Sequence, residues 1–285
     1  MIEDTVLVTT DCVCDLTAEL QGRYQIPIMY YYVQTEEARF QDTREMNSDD
    51  LIEYIEKDGK RAYSSCAPVE EYQEFFARQR KNTSAPIIHI CMAQYVSDAY
   101  KTAKEAARED EDIHVVDSGH LSGGMALMVL EAAKMAKRGA PYEVILKELA
   151  CMKEKVCTSF IVESVECLYR NGRISKNIAR LCDVLSLHPI LKLSHSHMKP
   201  VGLCIGSPRR FARAYLRWAL RRKGEIAPDM AFLITAGVSY EYRQFLLQEI
   251  KERMPWKTVV VNKASATISC NCGSGAFGIL FVRKQ

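Results

Sequence analysis

Short apolar runs of strand type alternate with helix-type segments through the first half of this chain. That alternation restricts the fold more than any other feature of the sequence. Thr5-Val6-Leu7-Val8-Thr9-Thr10 precedes a helix predicted from about Asp15, whose carboxylate is the expected helix cap. Ile26 to Val33 follows as one continuous apolar strand, and its Tyr30-Tyr31-Tyr32 is expected to serve sheet packing. Pro86 to Cys91 precedes a helix over about Ser97 to Glu109, and Ile113 to Asp117 precedes a longer one over about Ser122 to Lys137. Repeated strand–helix units of this kind imply a mainly parallel sheet covered by helices on both faces.

Each strand of the series ends in short polar residues: Asp11, Gln94 just beyond Cys91, Asp117-Ser118, and Ser64-Ser65 ahead of a helix starting near Pro68. In an open α/β sheet the carboxyl ends of the strands border the crevice where ligands bind, so these positions are candidates for a site.

From about Thr158 the pattern changes. Helical stretches at Val165 to Tyr169 and Ser175 to Leu185 give way to a hairpin, Ile190 to Leu193 and Val201 to Ile205, around a turn holding His195 and His197. A basic helix from Pro208, strands at Met230 to Thr235 and Thr258 to Val261, and a last strand at Gly278 to Val282 complete the chain. The expected architecture is therefore α/β in two domains. Residues 1–157 form a mainly parallel sheet with flanking helices, residues 158–285 an α+β domain with a mixed or antiparallel sheet, and a ligand would sit at the junction.

The charge balance, 38 Lys+Arg against 36 Asp+Glu with a net +2, argues against nucleic acid or anionic membrane as a partner. Eleven cysteines is an odd count, which a complete disulfide framework would not use, so reduced thiols are expected. No secretory signal pattern follows Met1, and no apolar run approaches the ~20 residues needed to span a bilayer. These features together imply a cytoplasmic protein without stable membrane insertion.

A catalytic reading would recruit Cys12, Cys14, Cys66, Cys91, Cys270 or Cys272, but none lies in a nucleophile motif with a partnering His. The Cys-x-Cys pairs Cys12/Cys14 and Cys270/Cys272 lack the two-residue spacer usual in structural zinc sites, so no metal and no cofactor is expected. Arg209, Arg210, Arg213, Arg217 and Arg221 fall largely on one side of a helix, a pattern that fits a solvated face or, in a scaffolding protein, a docking face for an acidic partner.

Several landmarks in order, Asp11-Cys12-Val13-Cys14-Asp15, Ser64-Ser65-Cys66-Ala67-Pro68, Val96-Ser97-Asp98, Val116-Asp117-Ser118, Asn171-Gly172-Arg173-Ile174-Ser175 and His188-Pro189-Ile190-Leu191, resemble those of the DegV family. That family consists of bacterial fatty-acid-binding proteins, some of which are the lipid-presenting subunit of a fatty acid kinase. The resemblance implies a non-catalytic carrier of a long-chain fatty acid, with a fatty acid kinase catalytic subunit as possible partner.

It also implies roles for particular residues. Ser64 and Ser65 stand in the family's Thr-Ser-Gln-Pro-Ser stretch, where Ser64 keeps the hydroxyl that holds the ligand carboxylate. Gln94 replaces a Ser of the carboxylate grip, beside Ser97. Asn271 replaces the His of a Thr-His-x-Gly-Pro-Gly turn, in which Gly273 lets backbone amides approach an oxyanion. Arg173 is retained as the group that balances the anionic head, whereas Gly206 stands where the family often has an Arg. A head group rewritten in this way leaves a different amphiphile, or a regulatory role, as the alternative.

Overall fold

The computed structural model describes residues 5–284 except 173, 195 and 196, and the side chains of residues 58 and 183 are likewise outside the description. The first half runs β1 (Leu7–Asp11), a 3-10 turn (Cys12–Cys14), α1 (Ala18–Tyr24), β2 (Ile28–Met29), β3 (Tyr32–Gln34), β4 (Arg39–Gln41), α2 (Ser48–Asp58) and β5 (Tyr63–Ser65). It continues with α3 (Val69–Arg80), β6 (Ile87–Cys91), α4 (Ala99–Ala106), β7 (Ile113–Asp117), α5 (Ser122–Lys137) and α6 (Tyr142–Lys155). Strands β2-β1-β6-β7 form a four-stranded sheet with every pairing parallel, as the alternation requires.

Two expectations fail in this half. The apolar run Ile26 to Val33 is not one strand: it breaks at Tyr30-Tyr31, and β3 leaves the parallel sheet to pair antiparallel with β4 and β5 in a separate three-stranded sheet. Asp15 does not cap α1 either. Thr17 does so, accepting from the Leu20 N–H at 3.2 Å, while Asp15 adopts a left-handed backbone and turns its carboxylate inward.

The second half contains β8 (Val156–Ile161), α7 (Glu166–Arg170), α8 (Lys176–Val184), β9 (Leu187–Ser194), β10 (His197–Ile205), α9 (Pro208–Ala219), a 3-10 turn (Lys223–Glu225) and β11 (Ile226–Thr235). It ends with α10 (Tyr240–Arg253), β12 (Thr258–Lys263), α11 (Ala266–Cys272) and β13 (Phe277–Arg283). Its six-stranded sheet, β10-β9-β8-β13-β11-β12, is antiparallel except for the parallel pair β11/β12, so the mixed sheet anticipated from the sequence is present.

Helix α5 lies between the two large sheets, and Met125 to Leu130 on it are buried all round. Its first turn reaches the second sheet closely because Gly123 and Gly124 carry no Cβ. A methyl at Gly124 would meet the Thr158 hydroxyl at 2.0 Å, and one at Gly123 would meet the Phe232 Cβ at 2.5 Å. The halves interlock at a second place. Val33 of β3, Leu51 of α2, and Met46 and Ala62 from the loops beside them bury against Ala266 and Cys270 of α11.

The arginine stripe of α9 is partly committed to the protein itself. Arg213 pairs with Glu249 of α10 at 2.8 Å, and the guanidinium groups of Arg209 and Arg213 lie over the Phe245 ring. Among the described residues no helix is long and apolar enough to cross a membrane.

Candidate functional site

A cavity of about 310 Å³ opens where α5, α11 and the two sheets meet, within the size range of small-molecule sites. Much of its wall is apolar: Met92, Leu121, Phe160, Ile234, Phe277 and Leu280 contribute from both halves. Polar residues in the lining include Ser64, Ser65, Ser97, Asn271 and the exposed Asp98. Among the described residues of the lining, none is Lys, Arg or His.

Helix α11 brings Thr267, Ile268, Asn271 and Cys272 to the cavity, and buried groups from distant segments hold its N-terminus. The Ser265 hydroxyl accepts from the Ile268 N–H, while the Asp42 carboxylate accepts from the Ala266 and Thr267 N–H groups at 2.8 and 2.9 Å. Asp15 accepts from the Ser265 N–H at 2.8 Å and from the hydroxyl of Ser122, itself a cavity residue. Burial pushes the Asp15 carboxyl up to about 7, against partial relief from those donors, and pushes Asp42 up as well. These two carboxylates tie the first-half loops to the helix that carries Asn271.

Ser64 lies at the centre of β5, opposite Val33 of β3, and its Oγ is 3.1 Å from Nδ2 of Asn271. The same Nδ2 donates to the Thr267 carbonyl at 2.9 Å, which identifies that atom as nitrogen and Ser64 Oγ as an acceptor.

Behind Ser97 stands a fully buried polar network. The Tyr31 hydroxyl is 3.2 Å from Ser97 Oγ and 3.2 Å from Asp11 Oδ2; Asp11 Oδ1 receives the Tyr72 hydroxyl at 2.8 Å and faces His89 Nε2 at 3.2 Å. His89 Nδ1 is in turn 2.8 Å from the Thr9 hydroxyl. Asp11, His89 and Cys91 are near enough to share a metal ion, though the Asp11 oxygens already serve Tyr31, Tyr72 and His89.

The residues expected from sequence separate into three groups. Ser64, Ser65, Ser97 and Asn271 come together on the cavity wall. Gln94 and Gly273 do not. Gln94 is exposed, and its backbone N–H is directed to Asp117 at 3.1 Å. Gly273 is buried as the C-cap of α11, at φ 74°, and its N–H donates to the Ser269 carbonyl at 2.8 Å. That amide closes the helix and is not directed at an anion. Arg173 lies outside the described residues.

Sequence reasoning missed Tyr31, which it assigned to sheet packing. The break in the strand places Tyr31 on the cavity wall with its hydroxyl in the buried network. A run of three tyrosines carries no signal for that break.

Among the described residues no cysteine is in a disulfide, and burial raises Cys12, Cys14, Cys66, Cys91, Cys270 and Cys272 above the usual thiol range. Such groups stay protonated near neutrality and make poor nucleophiles.

Two sheets clamped on one helix, beside an apolar chamber with hydroxyl and amide groups in its wall, define an α/β protein with an internal ligand-type cavity. The chain belongs to the DegV family: the model for that family, described as uncharacterised proteins, matches residues 5–284. A DegV domain-containing protein of Clostridium perfringens is 26% identical over 212 residues, covering 72% of this chain and 74% of its own. A fatty-acid-binding DegV family protein from Thermus thermophilus superimposes with a TM-score of 0.88 at 25% identity, over 98% of this chain and 99% of its own. The B3 protein of the Streptococcus pneumoniae fatty acid kinase, solved with linoleic acid, superimposes with a TM-score of 0.82 at 19% identity, over 97% and 99% of the two chains.

Proposed function

We propose that this protein is a carrier that binds a long-chain fatty acid in the interior cavity and presents its head group to a partner kinase. The observation that carries this reading is the cavity itself: a largely apolar chamber with Ser64, Ser97 and Asn271 in its lining, built from both halves of the chain. An acyl chain gains roughly 0.8 kcal/mol for each methylene it buries, so a dozen methylenes supply on the order of 10 kcal/mol before the cost of association. The polar groups then serve to keep the head group from being buried without partners. Fatty acid binding by the Thermus relative and the linoleic acid in the streptococcal kinase protein support the ligand class.

The kinase partner is supported by the latter likeness, and a non-catalytic role by the protonated, buried thiols. Eleven cysteines outside any disulfide favour a reducing, cytoplasmic setting. Native mass spectrometry of the purified protein followed by solvent extraction tests the proposal. A co-purifying fatty acid is expected. Recovery of no lipid, together with no uptake of added fatty acid, would overturn it.

A further inference from the structure

A second recess, of about 30 Å³, lies between the C-terminal end of α9 and strands β8, β9 and β13, and shares only Ser159 with the lining of the main cavity. Four cationic residues line it: Lys192 of β9, Arg221 and Arg222 just beyond α9, and Arg283 at the end of β13. Among the described residues of this lining, none is Asp or Glu. Like charges gathered around so small a space repel one another, a cost that an anion in the recess would relieve.

Part of the cluster has a structural cause. The last carbonyls of a helix attract cations, which accounts for Arg221 and Arg222. It does not account for Lys192 and Arg283, which come from the sheet. Both are half-buried, and among the described residues neither has an acidic partner. Arg222 meets Glu225 at 3.5 Å, but both side chains are exposed and such a pair contributes little. Half-buried cations without a counter-ion are therefore the feature that calls for a ligand.

Arg221 is held in position beforehand. Its Nη1 donates to the Trp218 carbonyl at 2.9 Å, and its guanidinium lies 4.8 Å from the centre of the Trp218 ring. That leaves its remaining N–H groups for an acceptor. The same ring stacks with Tyr215 at 6.3 Å, so it is committed to the protein and not to a nucleobase. A phosphate group offers several oxygens to planar guanidinium forks of this kind.

We propose that this recess is a binding site for a phosphate group, either the free anion or the end of a small phosphomonoester, held by Lys192, Arg221 and Arg283. The site does not depend on the fatty acid reading.

Calorimetric titration of the wild-type protein with inorganic phosphate, and separately with glycerol phosphate, tests it against sodium chloride at matched ionic strength. Saturable binding specific to phosphate is expected. The chain has two tryptophans, so Trp256→Phe leaves Trp218 as the one indole reporter, placed in the recess wall. Its emission should change over the same concentration range.

Lys192→Gln and Arg283→Gln should each weaken phosphate binding about tenfold or more, the range of one hydrogen bond to a charged group. Arg210→Gln removes the same charge near the start of α9, roughly 15 Å away along the helix and beyond the ~8 Å screening length at physiological salt. It should leave binding unchanged. Saturation by inorganic phosphate alone supports the site with the free anion as ligand; saturation by glycerol phosphate as well supports it with the phosphoryl end of a larger molecule.

A wild-type response to phosphate no different from that to chloride would overturn the proposal. So would binding that leaves Trp218 emission unchanged, which would put the anion elsewhere. Equal weakening in Arg210→Gln, Lys192→Gln and Arg283→Gln would also overturn it, by reducing the effect to a general attraction to basic surface.

Discussion

Asn271 of α11 donates to the Ser64 hydroxyl of β5 at 3.1 Å, joining positions 207 residues apart in sequence across one wall of the cavity. A serine that receives this bond keeps its own proton for a ligand oxygen. Ser64→Ala is expected to weaken fatty acid binding about fivefold, the range of one neutral hydrogen bond. Asn271→Ala should cost less in the Ser64→Ala background than in wild type, because the amide then has no hydroxyl left to orient. Strictly additive losses in a displacement titration would show that the pair does not act as a unit.

Stability should depend on pH through Asp15. Burial raises its carboxyl in the folded protein to about 7, against about 3.9 in an unfolded chain, so the folded state holds this proton more tightly. Its contribution is complete below about pH 4 and is lost as the pH rises to about 7; Asp42, raised for the same reason, acts in the same direction. With about 1.4 kcal/mol lost for each pH unit crossed between those limits, the total is a few kcal/mol at most. Asp15→Asn removes the charge, keeps an oxygen to accept from the Ser265 N–H, and places an N–H toward Ser122, whose hydroxyl can turn to accept it. It should gain on wild type between about pH 4 and pH 7 in urea unfolding. Parallel profiles for the two proteins would remove Asp15 from the account.

The close approach of α5 to the second sheet predicts contrasting responses at two helical glycines. A Cβ at Gly124 would press on the Thr158 hydroxyl, which is itself 3.0 Å from His120 Nδ1 in the interior. Gly124→Ala should cost about 1–3 kcal/mol, lowering the melting temperature by roughly 3–10 °C. Gly22 of α1 has open space where its Cβ would be, so Gly22→Ala should be neutral or gain about 0.5–1 kcal/mol. A cost at Gly22 as large as that at Gly124 would mean that the helix–sheet distance is not what constrains α5.

Periodicity showed the parallel sheet because each of its strands is a short apolar run followed by a helix. Three helices lay outside that reading, although two carry local signals. The Asn47 capping box starts α2, and Ile145, Leu149 and Met152 mark one face of α6. Helix α11 is different. Its N-terminus depends on Asp42, more than 200 residues away in sequence, and its C-terminal glycines read as an isolated turn. The departure of β3 from the parallel sheet is equally non-local, since β4 and β5 supply its partners. For the same reason Ser64, Ser97 and Asn271 were recognisable as candidates from their family positions, whereas Tyr31 and Asp98 emerged only with the cavity. Gln94 and Gly273 occupy the expected places in the chain, yet their backbone amides are held by Asp117 and Ser269.

Cysteine labelling offers a direct measure of whether a ligand occupies this cavity. Cys66 is half-buried in the cavity wall, with its Sγ 3.9 Å from the Thr102 hydroxyl, whereas Cys151 on α6 is exposed. Cys12, Cys14, Cys91 and Cys272 are buried, with thiols raised by desolvation, and should react only on unfolding. With a small alkylating reagent, Cys151 should be modified first and Cys66 more slowly. Saturation with a fatty acid should slow Cys66 severalfold further while leaving Cys151 unchanged, because an acyl chain lying along Met92, Leu121 and Ile234 covers the wall that holds Cys66. Peptide mapping by mass spectrometry separates the two rates. If Cys66 reacts equally fast in loaded and empty protein, the acyl chain does not occupy the chamber between α5 and α11, and the site has to be sought elsewhere.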